Sequence, residues 1–338
     1  MWLNRREGAK KLKILNLSFQ DFAGVGYCLS HAINKLTEHQ AVNIRSNSGY
    51  TRYPAIAEMR DYNSATCRQM VYDSDVLIFN TSVKPFFQAF NLDPAKLKDK
   101  KKLYYCHGTE LRYMGKDLLE QADEILGNYQ LLISTPDLFL YALENAEWLP
   151  ACRSFSEIKT RYGLCNQDKA ALNSYVANKK MVTFCHAPTS EEKKGSATFY
   201  RVITDVVKAL PYVDYLTIRN QPWVGCLSLL RDVDVYFDQD PPFISSYGTL
   251  SVECSVFRIP VVTKITSEVT DIIKRETNFK NPFITFSTDD DLLAKAYMLA
   301  ENPKLRRTFG NKMYKYCKAV HDEKPVVERF LKILDAMD

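Results

Sequence analysis

Two doubly wound α/β domains facing each other across a cleft are the architecture this sequence predicts, and three observations carry it. Short apolar runs alternate with helical patterns along nearly the whole chain. The alternation stops once, in the polar stretch CNQDKAALNSYVANKK from Cys165 to Lys180, and then resumes. At 338 residues the chain exceeds one average core and suits two domains of ordinary size. The expected division is 1–170 and 171–338, with the last helix packing back on the first domain.

The elements follow in order. Leu12 to Phe19 (LKILNLSF) reads as a buried strand, then a glycine-containing turn and a helix from Tyr27 to Leu36. Val42 to Arg45 is strand-like, Ala65 to Tyr72 helical, and Val76 to Phe79 (VLIF) a strand. Val83 to Phe90 is helical, and Leu103 to Cys106 and Leu131 to Ser134 are short strands. Cys165 to Lys180 reads as one polar helix. The second set begins with the strand Met181 to Cys185 and a helix from Ala197 to Leu210. Tyr215 to Ile218, Val233 to Phe237, Ile259 to Thr263 and Phe283 to Phe286 are further strands. Leu250 to Phe257 is a helix. Three helical stretches close the chain, the last from Lys324 to Ala336.

Composition narrows the function classes. Hydrophobic residues make 46% and charged residues 25%, the values of a soluble globular protein. A net charge of +5 is mildly basic and short of a dedicated nucleic-acid binder. Part of the excess is local: Arg5, Arg6, Lys10, Lys11 and Lys13 crowd the start, and Lys96, Lys98, Lys100, Lys101 and Lys102 form a second run. These are either solvated segments flanking buried strands or a landing surface for DNA or an anionic lipid. Nine cysteines, none in a CxxC pair, show neither a disulfide framework nor a zinc site, so a reducing cytoplasm is the expected compartment. No apolar stretch has the length of a membrane span, and the charged N-terminus lacks a secretory apolar core.

In doubly wound sheets ligands sit outside the carboxyl ends of the strands. Four stretches of this chain follow strands directly. In DFAGVGYC, Asp21 to Cys28, Gly24 and Gly26 are either turn glycines or a loop whose backbone approaches a phosphate or sugar. HGTELR places His107, Glu110 and Arg112 after a strand. His107 is either a cap on the strand end or an imidazole facing the cleft, able to hydrogen-bond a sugar hydroxyl or share a proton. In HAPTSEEKKGSATFY the run EEKK is either a solvated turn or part of a site: Lys194-Gly195-Ser196 opens a helix, so an ammonium and helix-terminal N–H groups converge, a combination suited to a diphosphate.

The fourth stretch, DQDPPFISSYGTLSVECSVFRIPVVT, starts a helix at Tyr247-Gly248-Thr249. The free N–H groups of Gly248, Thr249 and Leu250 can hold a pyrophosphate. Glu253 follows about one turn along. As a mere complement to the helix's positive end it contributes a few tenths to about 1 kcal/mol. Its neighbours read as buried, however, and a buried acid needs a partner, such as both hydroxyls of a ribose.

With those residues quoted, the chain resembles the GT-B glycosyltransferases of the retaining family 4 type, whose fold is two Rossmann-like domains. Tyr247-Gly248, Glu253-Cys254 and Arg258-Ile259-Pro260-Val261-Val262 stand where that family has its YG-type loop, EA pair and G-x-P-V-V. Asp238-Gln239, His186 to Gly195 and His107-Gly108 resemble further family stretches. The resemblance implies a UDP- or GDP-type sugar donor, no other cofactor and no metal. Glu253 would hold the ribose, and Gly248 to Leu250 with Lys194 and Gly195 the diphosphate. His107 would sit at the transferred sugar, and Asp21, Gly24, Gly26, Glu110 and Arg112 on the acceptor side. Departures are Glu191 and Glu192 where an arginine is usual, with Arg219 as the substitute, Ser245 for the first acid of an E-x7-E pair, and Arg258 for a glycine. Candidate acceptors are a glycan or lipid-linked sugar, a small metabolite, or a hydroxymethylated DNA base. A sugar-nucleotide epimerase and an inactive nucleotide-sugar-binding relative are the alternatives.

Overall fold

A computed structural model describes residues 10–21, 23–47, 49–81, 83–141, 145–163, 181–240 and 244–337. The polar helix expected over 165–180, Arg5 and Arg6 of the basic start, and Pro241 and Pro242 lie outside them.

In chain order the strands are β1 (Lys13–Gln20), β2 (Gln40–Asn47), β3 (Ala57–Glu58), β4 (Val76–Asn80), β5 (Lys101–Cys106), β6 (Gln130–Ile133), β7 (Ala146–Trp148), β8 (Val182–His186), β9 (Val213–Thr217), β10 (Val235–Phe237) and β11 (Val261–Val262). The helices before the second sheet are α1 (Val25–Leu36), α2 (Ser64–Asp73), α3 (Lys84–Phe90), α4 (Gly108–Met114), α5 (Lys116–Leu126) and α6 (Phe155–Arg161). Those that follow are α7 (Glu191–Lys194), α8 (Ser196–Ala209), α9 (Trp223–Leu229), α10 (Thr249–Val256), α11 (Ser267–Thr277), α12 (Asp289–Glu301), α13 (Pro303–His321) and α14 (Glu323–Ala336).

The chain divides into two compact units, residues 1–153 with 321–338, and residues 154–320. The first holds a seven-stranded sheet in the order β3-β2-β1-β4-β5-β6-β7, every pair parallel. Strands covered on both faces should be apolar, and β4 and β5 are over Val76 to Phe79 and Leu103 to Cys106, all enclosed, while Asn80 and Lys102 are buried polar residues near one end of each. The strand β1 is a further exception, because Asn16 and Ser18 are buried beside Leu15 and Leu17. One face of the sheet packs on α1 and α14 through Leu29, Ile33, Val327 and Phe330.

The second unit holds a parallel sheet in the order β11-β10-β8-β9. Its core gathers Phe184, Val235 and Val262 from the strands, Phe199 and Ile203 from α8, and Leu292 and Leu299 from α12. Phe283 to Phe286, expected as a strand, forms only a single bridge between Ile284 and Val262. Phe283 instead stacks on Tyr247, with ring centroids 4.3 Å apart. Val233 ends a 3-10 turn at Leu230–Asp232, so the strand expected from there begins at Val235. Elements β3, β7, α4, α5, α6, α7, α9 and α11 have no counterpart in the sequence reading.

The lysine run before and within β5 has a structural role. Lys100 Nζ donates to the carbonyls of Tyr72 (2.7 Å) and Ser74 (2.5 Å), Lys101 Nζ to Leu334 (2.8 Å) and Lys102 Nζ to Leu126 (2.7 Å). Those carbonyls close α2, α14 and α5, whose C-terminal ends carry partial negative charge. Among the described residues no helix is long and apolar enough to cross a membrane.

Candidate functional site

Each sheet reverses its strand order once, between β1 and β4 in the first unit and between β8 and β10 in the second. Crevices outside the carboxyl ends of strands at such points are where α/β sheets take ligands.

At the second point, β8 leads through α7 to Lys194 and Gly195. Gly195 sits at φ +64°, and a Cβ there would lie 2.5 Å from the Asp240 carbonyl oxygen, so only glycine fits. Asp240 N–H donates to the Lys194 carbonyl at 3.2 Å, tying the loop after β10 to the loop after β8. Lys194 Nζ donates to Asp238 Oδ1 at 3.0 Å and to Gln239 Oε1 at 2.5 Å. Gln239 is oriented by its own Nε2, which donates to the Ser246 carbonyl. The other oxygen of Asp238 accepts from Gly248 N–H at 2.5 Å and from Ser251 Oγ at 2.7 Å. Thus an ammonium, a backbone N–H at the start of α10 and a hydroxyl all converge on one buried carboxylate. A Cβ on Gly248 would stand 3.1 Å from Lys194 Nζ, crowding this arrangement. Thr249 and Leu250 are half-buried in the first turn of α10, where N–H groups lie outside the helical ladder.

One turn along α10, Glu253 is fully buried, and its Oε1 accepts from the Trp223 indole N–H at 3.0 Å. The indole is therefore a partner that the sequence did not reveal. Beneath the crevice His186 is fully enclosed, its Nδ1 3.0 Å from the Phe237 carbonyl and its Nε2 2.8 Å from Ser196 Oγ. Burial pushes it down to about 4, so it is a neutral strut.

At the first point the polar groups are mostly uncharged. Asp21 caps α1, accepting from Gly26 N–H and Tyr27 N–H at 3.1 Å each, and its burial raises its pKa. Gly24, at φ +63°, lies under the Tyr53 ring, where a Cβ would collide at 2.2 Å. A Cβ on Gly26 would meet Ser18 Oγ at 2.4 Å and Asn43 Nδ2 at 2.6 Å. Both glycines therefore serve packing within the unit. His107 follows β5, its Nε2 2.9 Å from Asn80 Oδ1 at the end of β4. Burial first, then the Arg153 guanidinium, pushes its pKa down to about 4. Its Nδ1 is shielded from water and, among the described residues, has no hydrogen-bond partner, and the same holds for Glu110 Oε2. Burial raises the Glu110 pKa.

Other expected site residues have different duties. Arg112 grips buried Asp137 with both arms, Nε to Oδ2 at 2.7 Å and Nη2 to Oδ1 at 2.9 Å, clamping α4 to the turn after β6. Tyr247 is core, its hydroxyl 2.8 Å from that of Tyr316. Arg219 lies 2.5 Å from Glu191, so the substitute arginine and the acid replacing the usual one form a pair on the surface. Ser245 Oγ accepts from Thr266 N–H, just before α11. Arg258 occupies φ +60°, the left-handed region where a glycine sits without strain, and its guanidinium lies over Tyr314 at 4.3 Å. The sequence reading missed Asn80, Trp223 and Ser251. A polar residue inside an otherwise buried strand, as in KILN and VLIFN, was the available signal for the first.

No family model matches the sequence, and no curated protein matches it. The fold is GT-B, as solved structures establish. The N-terminal domain of trehalose-6-phosphate phosphatase from Candida albicans superposes with a TM-score of 0.65 at 11% identity, covering 98% of each chain. An α,α-trehalose-phosphate synthase (UDP-forming) from Burkholderia vietnamiensis gives 0.61 at 9% identity, covering 96% of this chain and 100% of that one. A presumed UDP-N-acetylglucosamine 2-epimerase from Listeria monocytogenes gives 0.55 at 10% identity over 97% of each chain. A shared fold carries several chemistries, so function has to be argued from the site.

Proposed function

We propose that this chain is a glycosyltransferase that moves a sugar from a UDP- or GDP-type donor to an acceptor hydroxyl, with retention and without a metal ion. One observation carries the reading. Lys194 Nζ, Gly248 N–H and Ser251 Oγ all donate to the Asp238 carboxylate, so the β8–β10 crevice is already built to hold an anion. A donor diphosphate would meet Lys194 and the first-turn N–H groups of Thr249 and Leu250 there. Glu253 would take ribose hydroxyls in exchange for the Trp223 indole N–H. Lysine and helix dipole would neutralise the leaving diphosphate as the bond to the sugar breaks. His107, neutral, would meet a hydroxyl of the transferred sugar.

The acceptor is a glycan or a lipid-linked sugar in this reading. Lys100, Lys101 and Lys102, three of the basic residues that suggested DNA, are engaged by helix carbonyls. The test is thermal stabilisation across nucleoside diphosphates and their sugars, followed by product analysis. A true donor at a hundredfold its dissociation constant stabilises by about 2.7 kcal/mol. Glu253→Gln, which keeps an acceptor for Trp223, is expected to lose the preference for ribose-bearing ligands. His107→Ala is expected to retain nucleoside diphosphate binding and lose transfer. If no nucleoside diphosphate stabilises the protein, the reading fails; if the sugar is inverted in place and remains on the nucleotide, the enzyme is an epimerase.

A further inference from the structure

We propose that Asn80 is a positioning residue that holds His107 as its Nε2–H tautomer, so that Nδ1 keeps a lone pair and accepts only from a donor such as a hydroxyl. The assignment follows from a chain of hydrogen bonds whose polarity is fixed at its far end. The Gly26 carbonyl can only accept, so the Asn16 atom 3.2 Å from it is the amide nitrogen. Asn16 Oδ1 then faces Asn80, which must present its own amide nitrogen. That nitrogen also lies 3.2 Å from the Leu17 carbonyl, a second acceptor that fixes the same orientation. Asn80 is thereby left with Oδ1 toward His107, and the ring nitrogen 2.9 Å away has to donate.

A neutral imidazole carries one N–H, so Nδ1 is the acceptor. Asn16, Asn43 and Asn80 are buried, so water cannot scramble the order. Asn43 holds the near end of the chain, its Nδ2 donating to the Asn16 carbonyl and to Ser18 Oγ. The groups around His107 act in the same sense. Burial first, and then the Arg153 guanidinium, disfavours an imidazolium, and the Tyr105 ring packs edge-on against the imidazole with centroids 4.5 Å apart.

The specificity that results is chemical. A hydroxyl can donate into Nδ1, whereas a carboxylate or phosphate oxygen placed there would face a lone pair. This deepens the glycosyltransferase reading, on which the identity of the donating group rests; the tautomer itself does not depend on it.

The experiment is long-range proton–nitrogen NMR on histidine-labelled full-length protein, with His107 assigned by the signals lost in His107→Ala. Wild type is expected to show His107 with protonated Nε2 and bare Nδ1 between about pH 5 and 8, across the range where a free imidazole titrates. Asn80→Asp replaces the donor amide by an acceptor-only carboxylate, so His107 is expected to take up its second proton near neutral pH. In that variant the KM for the sugar donor is expected to rise about tenfold while nucleoside diphosphate binding is unchanged, on the scale of one lost hydrogen bond. A wild-type spectrum with the proton on Nδ1, or an Asn80→Asp spectrum that titrates as wild type does, overturns the proposal. The wild-type spectrum needs no variant to fold. Absence of any donor binding would sink the functional reading and leave the tautomer result standing.

Discussion

The crevices at the ends of β1 and β4 and of β8 and β10 occupy equivalent places in their sheets, yet they are polar in opposite ways. In each, an aspartate just past a strand caps the following helix: Asp21 accepts from two N–H groups of α1, Asp238 from the Gly248 N–H at the head of α10. From there they diverge. The first crevice continues through neutral amides and ends on an imidazole lone pair. The second continues through ions: Lys194 with Asp238, Lys264 with Asp240 at 2.8 Å and Arg219 with Glu191 at 2.5 Å. A relay of amides has a direction and dictates which way a ligand's hydrogen points. A set of ion pairs has no such direction, but its cations can turn from an internal carboxylate to an incoming anion. By its chemistry the first crevice favours a hydrogen-bond donor and the second an anion.

Acid should attack both crevices, because each depends on a neutral histidine. His186 supports the ionic one, and His107 belongs to the amide one. His321 is a third buried case, its Nδ1 3.0 Å from the Ala151 carbonyl. All three are pushed down to about 4, first by burial. A histidine whose folded pKa is depressed leaves the unfolded chain to bind the proton first. Its contribution is present above about pH 6.5 and is lost as pH falls toward 4. For fully enclosed His186 and His321 the loss approaches about 3 kcal/mol each at the acid end. Urea denaturation across that range is expected to show stability falling by several kcal/mol. A flat profile would mean that these rings are already charged in the fold.

Charge removal separates the crevices more sharply. Lys194→Ala leaves the Asp238 carboxylate buried without its hydrogen-bonded cation, a change expected to cost about 3 kcal/mol in denaturant unfolding. Adding Asp238→Asn should recover most of that loss, because the amide oxygen still serves Gly248 and Ser251. If the single variant loses under about 1 kcal/mol, water is screening the pair, and the ionic description of this crevice fails.

The fold was readable because the strands are apolar runs that differ sharply from the helical stretches between them. The candidate crevice was readable where its parts share one strand–turn–helix segment, as Lys194-Gly195-Ser196 and Gly248 to Glu253 do. What escaped was pairing across the sequence. Asn80 and His107 are separated by α3 and β5, and Trp223 reaches Glu253 from another helix. Neither partner carries a mark of the other. Phe283 to Phe286 was misread for a related reason: its aromatic spacing suits a strand, but the Phe283 ring is taken up by Tyr247. The lysine run shows the same limit. A cluster of charges on a sequence is normally solvated, and nothing local announces that three helices end above β5.

That run also offers the finest test of what a lysine does away from a carboxylate. Lys102 is 5% exposed and donates to the Leu126 carbonyl at the end of α5. Its partner is a carbonyl at a helix terminus, so the ammonium answers a partial charge and leaves no buried ion behind when removed. Lys102→Met keeps the aliphatic stem and deletes the donor. The expected cost is about 1 kcal/mol, the value of a modest charge-to-carbonyl hydrogen bond, and well below that of Lys194→Ala. Because the contact is shielded, the difference between variant and parent should hardly change with added salt. Equal losses for the two lysines would erase the distinction between a charge that completes a helix and a charge that awaits an anion.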